Sequence, residues 1–327
     1  MVQVYRISGR EVVEDDVRRL PAVFGEDGAV WWVDLSAGDE QMQELLTGAF
    51  GVHASALREC EQPGLVPRVR PYSGHVFVEL HAPAGGEDGM VDALALVLFV
   101  GRGYLITVHE QRASVNTEDV TRDTATVHRR LARRTVTVES AGDLAYAIAS
   151  AVAQRMETEL GALSTRVVAL ERSILVSRKR DEELLESMFR ARHELVTMQT
   201  MASHDRAIFQ RLPRVADELL DENALRLVDD LADQFARVQH MCGTERDFLQ
   251  ELLDLYQTRA TDSINIAMER LALITAVALP ITAVASVYGM NTIVNSGTQP
   301  VQLTVSLLAM GLLTVVMLAW SRRQGWW

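Results

Sequence analysis

The sequence predicts an α/β cytoplasmic domain, then a long α-helical stalk, then a C-terminal hairpin of two transmembrane helices. Three observations carry this. Short β-rich runs broken by Gly, Pro and Asp fill residues 1–140. From Asp143 to Arg270 the chain has one proline, Pro213, and two glycines, Gly161 and Gly243, among Ala, Leu, Glu and Arg. From Leu271 to Ser321 it has no Asp, Glu, Lys, Arg or His. So long an uncharged apolar stretch does not suit a purely soluble protein.

In the first domain, residues 1–140, strands are expected at Val2–Ile7, Val30–Leu35, Val76–Leu80, Leu94–Val100 and Tyr104–Val108. Between them Met42, Leu45, Leu46 and Phe50 share one face of a helix over Asp39–Phe50. Strands mixed with helices imply a sheet with helical cover.

The stalk, residues 141–270, carries apolar stripes at helical spacing. Leu160, Leu163, Val167, Leu170 and Ile174 form one; Leu225, Val228, Leu231, Phe235, Val238 and Cys242 form another. Such stripes are what paired antiparallel helices bury against each other. No strong breaker separates Asp221 from Tyr288. One helix of that span is about 100 Å long at roughly 1.5 Å per residue.

Residues 271–289 and 301–321 each have the roughly 20-residue length that crosses a hydrocarbon core of about 30 Å. Residues 290–300 form a short, uncharged outer loop, and 322–327 a tail holding Arg322, Arg323, Trp326 and Trp327. Arginines mark the cytoplasmic side and tryptophans suit the interface. Both termini are therefore expected in the cytoplasm, in agreement with a start that lacks a signal peptide's apolar core.

The first span is the more polar. Asn265, Met268, Thr275, Leu279, Thr282 and Ser286 are spaced 3, 7, 4, 3 and 4 apart, which keeps them on one helical face. Such a face can line a narrow hydrated path. Its hydroxyls can equally bond their own backbone carbonyls and pack helices together. Two helices cannot enclose a pore, so a pathway would require an oligomer.

The net charge of −12 argues against nucleic-acid binding and suits cations. No phosphate loop, nucleophile elbow or metal-hydrolase motif is present, so an enzyme is not expected. Gly101-Arg102-Gly103 is too short to cradle a phosphate, and His109-Glu110 lacks a second histidine. Cys60 and Cys242 form no CxxC and read as incidental thiols.

An apolar helix with an internal proline, ending in Tyr288-Gly289-Met290-Asn291 and followed by a second apolar helix and a basic aromatic tail, resembles the CorA family of divalent-cation transporters. Asn265-Ile266-Ala267-Met268, the Leu279-Pro280 step, and the stretch from Val52-His53 through Leu57-Arg58-Glu59 and Pro67-Arg68-Val69 to His75–Val78 extend the likeness over most of the chain.

The resemblance implies a funnel-shaped homopentamer in the inner (plasma) membrane. It implies a selectivity filter at Tyr288, Gly289, Met290 and Asn291, with Asn291 forming a ring of amide oxygens at the outer mouth. Neutral carbonyls can bond the first-shell waters of Mg²⁺, which dehydrates reluctantly. Leu279, Leu271 and Met268 would be apolar constrictions, with Asn265 a polar ring below them.

The resemblance also implies an intersubunit cation site from Glu59 and Asp230, with Asp233 contributing through water, at which cytoplasmic Mg²⁺ would hold the pore shut. Glu59 stands where the family usually has Asp, and Arg58 where an acid usually precedes it. The outer loop departs further: Thr292 to Pro300 contains no carboxylate. The reading is a Mg²⁺ channel that also admits Co²⁺ and Ni²⁺. Its alternatives are a Zn²⁺ transporter of the ZntB-like branch and a membrane-tethered helical scaffold. Residues 271–327 contain no His or Cys to bind zinc.

Overall fold

The computed structural model describes residues 2–21, 23–25, 28–61, 64, 66–86, 89–176, 181–216, 222–289, 293–294, 297–298 and 300–323. The chain forms two compact units, Met1–Leu175 with Glu182–Glu251, and Val176–Asp181 with Leu252–Trp327.

The first unit is built on a seven-stranded sheet. Its strands are β1 (Gln3–Ser8), β2 (Glu11–Asp15), β3 (Val30–Ser36), β4 (Val69–Tyr72), β5 (His75–Gly85), β6 (Val91–Gly101) and β7 (Tyr104–His109). They lie in the order β2-β1-β3-β7-β6-β5-β4, and only β3 and β7 are parallel. Helices α1 (Glu40–Gly48), α2 (Ala54–Glu61), α3 (Thr117–Val120) and α4 (Arg122–Ala132) join the strands and follow the sheet, and a 3-10 turn covers Val17–Arg19. The long helices α5 (Ala141–Val176), α6 (Glu182–Val215) and α7 (Glu222–Gly289) come next.

The five expected strands are β1, β3, β5, β6 and β7. The two the pattern does not reveal, β2 and β4, are the edges of the sheet. Edge strands need no double-sided apolar pattern: β2 reads EVVED, and β4 contains Pro71, which an edge tolerates. Strand β5 also runs past Pro83 to Gly85. Strand β4 covers it only as far as Val78, so no ladder partner requires the N–H that Pro83 lacks.

Met42, Leu45, Leu46 and Phe50 of the expected helix pack with Trp31, Val33, Phe77 and Phe99 in one core. The turn Gly101-Arg102-Gly103 links β6 to β7. Gly103 has φ +77°, and a Cβ there would lie 2.6 Å from Gly25 Cα, so the close approach requires glycine. In α5, Leu160, Leu163, Val167 and Ile174 are buried but Leu170 is half-buried; in α7, Val228, Leu231, Phe235, Val238 and Cys242 are buried and Leu225 is half-buried. Leu225 opens its stripe, whereas Leu170 lies inside its own, with Ile174 beyond it fully buried.

The expected unbroken helix is present: α7 is one element of 68 residues, with Pro280 inside it. A Cβ at Gly243 would be 3.2 Å from Gln199 Nε2, so this glycine admits α6 rather than ending the helix.

The second unit contains the end of α7, the two-residue strands β8 (Ile293–Val294) and β9 (Gly297–Thr298), and α8 (Pro300–Arg323). Among the described residues one helix is long and apolar enough to cross a membrane, Asn223–Ser286, with a mean hydropathy of 1.6 in its most apolar stretch. In α7 Leu273, Ala276, Val277, Pro280, Ile281 and Val284 are half-buried; in α8 so are Met310, Leu313, Thr314, Met317 and Leu318. Steps of three and four place each set on one face.

Candidate functional site

The expected pore-facing residues all lie on α7. Asn265, Met268, Leu271, Thr275, Leu279, Thr282 and Ser286 are exposed, on the side away from the half-buried stripe. Exposed Met and Leu side chains at this spacing are surface that one chain alone leaves uncovered. The two threonines do what helical threonines can do: Thr275 Oγ1 donates to the Leu271 carbonyl and Thr282 Oγ1 to the Ala278 carbonyl, each at 2.8 Å. Tyr288 and Gly289 close α7. Met290 and Asn291, the rest of the expected filter, lie outside the described residues.

Glu59 is on α2 and faces β4. Its Oε1 pairs with Arg70 Nη1 at 2.8 Å, while its Oε2 is buried without a partner among the described residues. Asp230 is exposed on α7, and Asp233 lies three residues further on, also exposed. Two side chains that the sequence reading did not anticipate hold Asp230. Its Oδ2 accepts from Tyr146 Oη of α5 at 2.7 Å and from Gln234 Nε2 at 2.6 Å. Gln234 Oε1 in turn accepts from Ser150 Oγ at 2.9 Å. Burial, then the neighbouring Asp230 carboxylate, raises the Tyr146 phenol above its ordinary value, so it remains a donor.

Glu59 and Asp230 therefore have separate partners within one chain. Among the described residues no group of three or more His, Cys, Asp and Glu converges on a metal position. The helical period reveals which face of α7 Asp230 occupies, but nothing in it announces Tyr146, 84 residues upstream.

The remaining singled-out residues have structural partners. His109 Nε2 bonds Asp34 Oδ1 at 2.7 Å across the parallel β3–β7 pair, and Thr124 of α4 at 3.2 Å. Glu110 accepts from Arg112 and from the Ala95 N–H. Cys60 and Cys242 are buried thiols not joined in a disulfide, and burial pushes the Cys242 thiol up to about 12, far from an attacking thiolate.

A mixed sheet, long helices and a helix long and apolar enough to cross a membrane define the class of fold, and comparison with known proteins sharpens it. The family model of the CorA-like Mg²⁺ transporter protein matches residues 27–323. The cobalt/magnesium transport protein CorA of Thermotoga maritima is 21% identical over 283 residues, 85% of this chain and 77% of that protein. The complete structure of the CorA magnesium transporter from Methanocaldococcus jannaschii superposes with a TM-score of 0.84 at 18% identity, covering 100% of this chain and 99% of that one. The ZntB cytoplasmic domain from Vibrio parahaemolyticus superposes with a TM-score of 0.64 at 11% identity, covering 80% and 98%. Such low identities show a shared fold. The chain belongs to the CorA-like Mg²⁺ transporter family.

Proposed function

We propose that this protein is a homopentameric channel that passes hydrated Mg²⁺, and also Co²⁺ and Ni²⁺, down its electrochemical gradient. The observation that carries the reading is the family match over residues 27–323 on a chain whose α7 runs uninterrupted to Gly289, one residue before Met290-Asn291. Residues 1–140 are the cytoplasmic α/β domain, 141–270 the cytoplasmic stalk, 271–289 and 301–321 the two membrane spans, 290–300 the outer loop and 322–327 the cytoplasmic tail.

Five copies bring the exposed face of α7 around one axis. Leu279, Leu271 and Met268 then form apolar rings that close by dewetting, and Asn291 offers amide oxygens to the waters of the arriving ion. Each charge entering gains roughly 2.3 kcal/mol per 100 mV of membrane potential.

Cytoplasmic Mg²⁺ regulates the pore at Glu59 of one protomer and Asp230 of its neighbour, with Asp233 acting through water. The donor chemistry fits a hard cation: all three are oxygen ligands, and Glu59 Oε2 is a buried oxygen without a partner among the described residues. Arg70 is the obstacle, because it already neutralises Glu59.

Flux of Mg²⁺ into proteoliposomes tests the proposal. Asn291→Ala abolishes uptake while leaving the pentamer intact by mass measurement; normal flux in that variant refutes the filter, and a monomer refutes the pathway. A zinc transporter is the second reading, favoured by an outer loop without a carboxylate. Mg²⁺ uptake that excess Zn²⁺ leaves unchanged counts against it.

A further inference from the structure

We infer that Asp205 of α6, with Glu79 of β5 as its partner carboxyl, forms a buried proton-binding site that docks α6 onto the open edge of the sheet. Strand β4 pairs with β5 only from Tyr72↔His75 to Val69↔Val78. Beyond that point the outward N–H groups of β5 need other acceptors. Glu79 N donates to the Arg68 carbonyl at 2.8 Å, and His81 N to Asp205 Oδ1 at 3.0 Å. A side chain of α6 thus takes the place of the missing strand.

Both carboxyls are completely buried, at 0% exposure. Each has one oxygen satisfied by a backbone N–H, since Glu79 Oε1 accepts from Gly64 N at 3.0 Å just as Asp205 Oδ1 accepts from His81 N. The other oxygen of each, Glu79 Oε2 and Asp205 Oδ2, is buried without a partner among the described residues. A buried acceptor with no donor is costly, and a buried carboxylate with no counter-charge more so. A proton removes the larger penalty by cancelling the charge, and it turns a bare acceptor oxygen into an O–H donor.

The surroundings supply little positive charge. Arg68, before β4, attracts Glu79, while Glu59 on α2 and Glu110 after β7 repel it. From β5, burial drives His81 below its ordinary value, and His204 of α6 lies with its ring 6.4 Å from that of His81. The next residue on α6, Arg206, turns its Nη1 to Gln239 of α7. With His81 driven toward its neutral form by burial, one outnumbered arginine leaves the acids to be neutralised by protons. Burial pushes Glu79 up to about 7 and Asp205 well above the usual carboxylate range.

The linkage has a definite sign. Both groups bind protons more tightly folded than unfolded, so their stabilisation is complete below the unfolded values and declines as pH rises. For Glu79 the decline runs from about 4.5 to about 7, and for Asp205 it begins near 3.8. Acidification tightens the α6–β5 contact and alkalinisation loosens it.

Infrared difference spectroscopy of the full-length protein in detergent tests this. The wild type should show a protonated-carboxyl carbonyl band at pH 6 that shifts in D₂O and fades on raising the pH. Asp205→Asn and Glu79→Gln, which imitate the protonated acids, should each remove one carboxyl's worth of that band and flatten the fall of the thermal midpoint with pH. No such band in the wild type overturns the inference without recourse to any variant. So does a band indifferent to Asp205→Asn, or a midpoint that responds to added Mg²⁺ or Zn²⁺ and not to pH, which would make the ligand a metal.

Discussion

Replacing Arg70 with glutamine tests the regulatory half of the proposal most directly. Arg70 Nη1 lies 2.8 Å from Glu59 Oε1, with its own side chain half exposed. A Mg²⁺ ion at the usual distance of roughly 2.1 Å from that carboxylate would lie about 5 Å from the guanidinium. Coulomb repulsion between a single and a double positive charge at that separation is about 1.7 kcal/mol at the dielectric of water. Screening over a Debye length of about 8 Å reduces it to about 0.9 kcal/mol, or about fivefold in affinity. Arg70 is half exposed but the Glu59 side chain is only 14% exposed, so the change leaves a largely buried carboxylate without its counter-charge and should lower the thermal midpoint; Mg²⁺ effects are therefore compared below each variant's own midpoint. The assay is Mg²⁺-dependent protection of the detergent-solubilised pentamer from limited proteolysis, alongside inhibition of uptake by Mg²⁺ on the cytoplasmic face. Arg70→Gln should shift both midpoints to about fivefold lower Mg²⁺, and Glu59→Gln should erase the difference. An unchanged or higher midpoint in Arg70→Gln refutes the placement of a cation at Glu59.

Other substitutions probe separate parts of the molecule. Leu279→Asn puts a polar ring where dewetting would close the path, and should raise Mg²⁺ leak under conditions that hold the wild type shut; unaltered leak means that Leu279 is not a constriction. Phe235→Ala removes a fully buried ring stacked on Phe209 at 5.6 Å, and should cost about 3–5 kcal/mol, seen as faster hydrogen exchange in α6 and α7. Gly103→Ala forces a side chain into a left-handed turn against Gly25, and should lower the thermal midpoint, whereas Gly28→Ala, at φ +67° in open space, should lower it less. Tyr146→Phe removes one of two donors from Asp230 and should weaken Mg²⁺ protection while leaving basal flux intact; wild-type protection would show that Tyr146 does not position the carboxylate.

Periodicity made the interior of the fold legible and left its margins obscure. Strands β3, β5, β6 and β7 are buried on both faces and therefore read as apolar runs, whereas β2 and β4 are edges and read as polar loop. The length of α7 was legible because breakers were missing, and the one glycine that could have signalled a stop, Gly243, serves packing instead. Helix α2 escaped notice because its eight residues hold too few apolar positions to show a period. Candidate site residues on a regular helix face, from Asn265 to Ser286, were found by counting. Arg70, Tyr146, Asp205 and Glu79 were not, because their roles rest on neighbours far away in sequence, such as the 124 residues between His81 and Asp205.

The backbone bonds of Thr275 and Thr282 bear on how an uncharged passage can tell one ion sign from the other. Each hydroxyl hydrogen is engaged by its own helix, so the oxygen faces outward as an acceptor only. The water shell of a cation points its hydrogens away from the ion and can be received by such oxygens. An anion's shell presents water oxygens, for which these two hydroxyls have no hydrogen left to donate. Two threonines per subunit, oriented by ordinary helical geometry, would thus favour cations without a single carboxylate in the span.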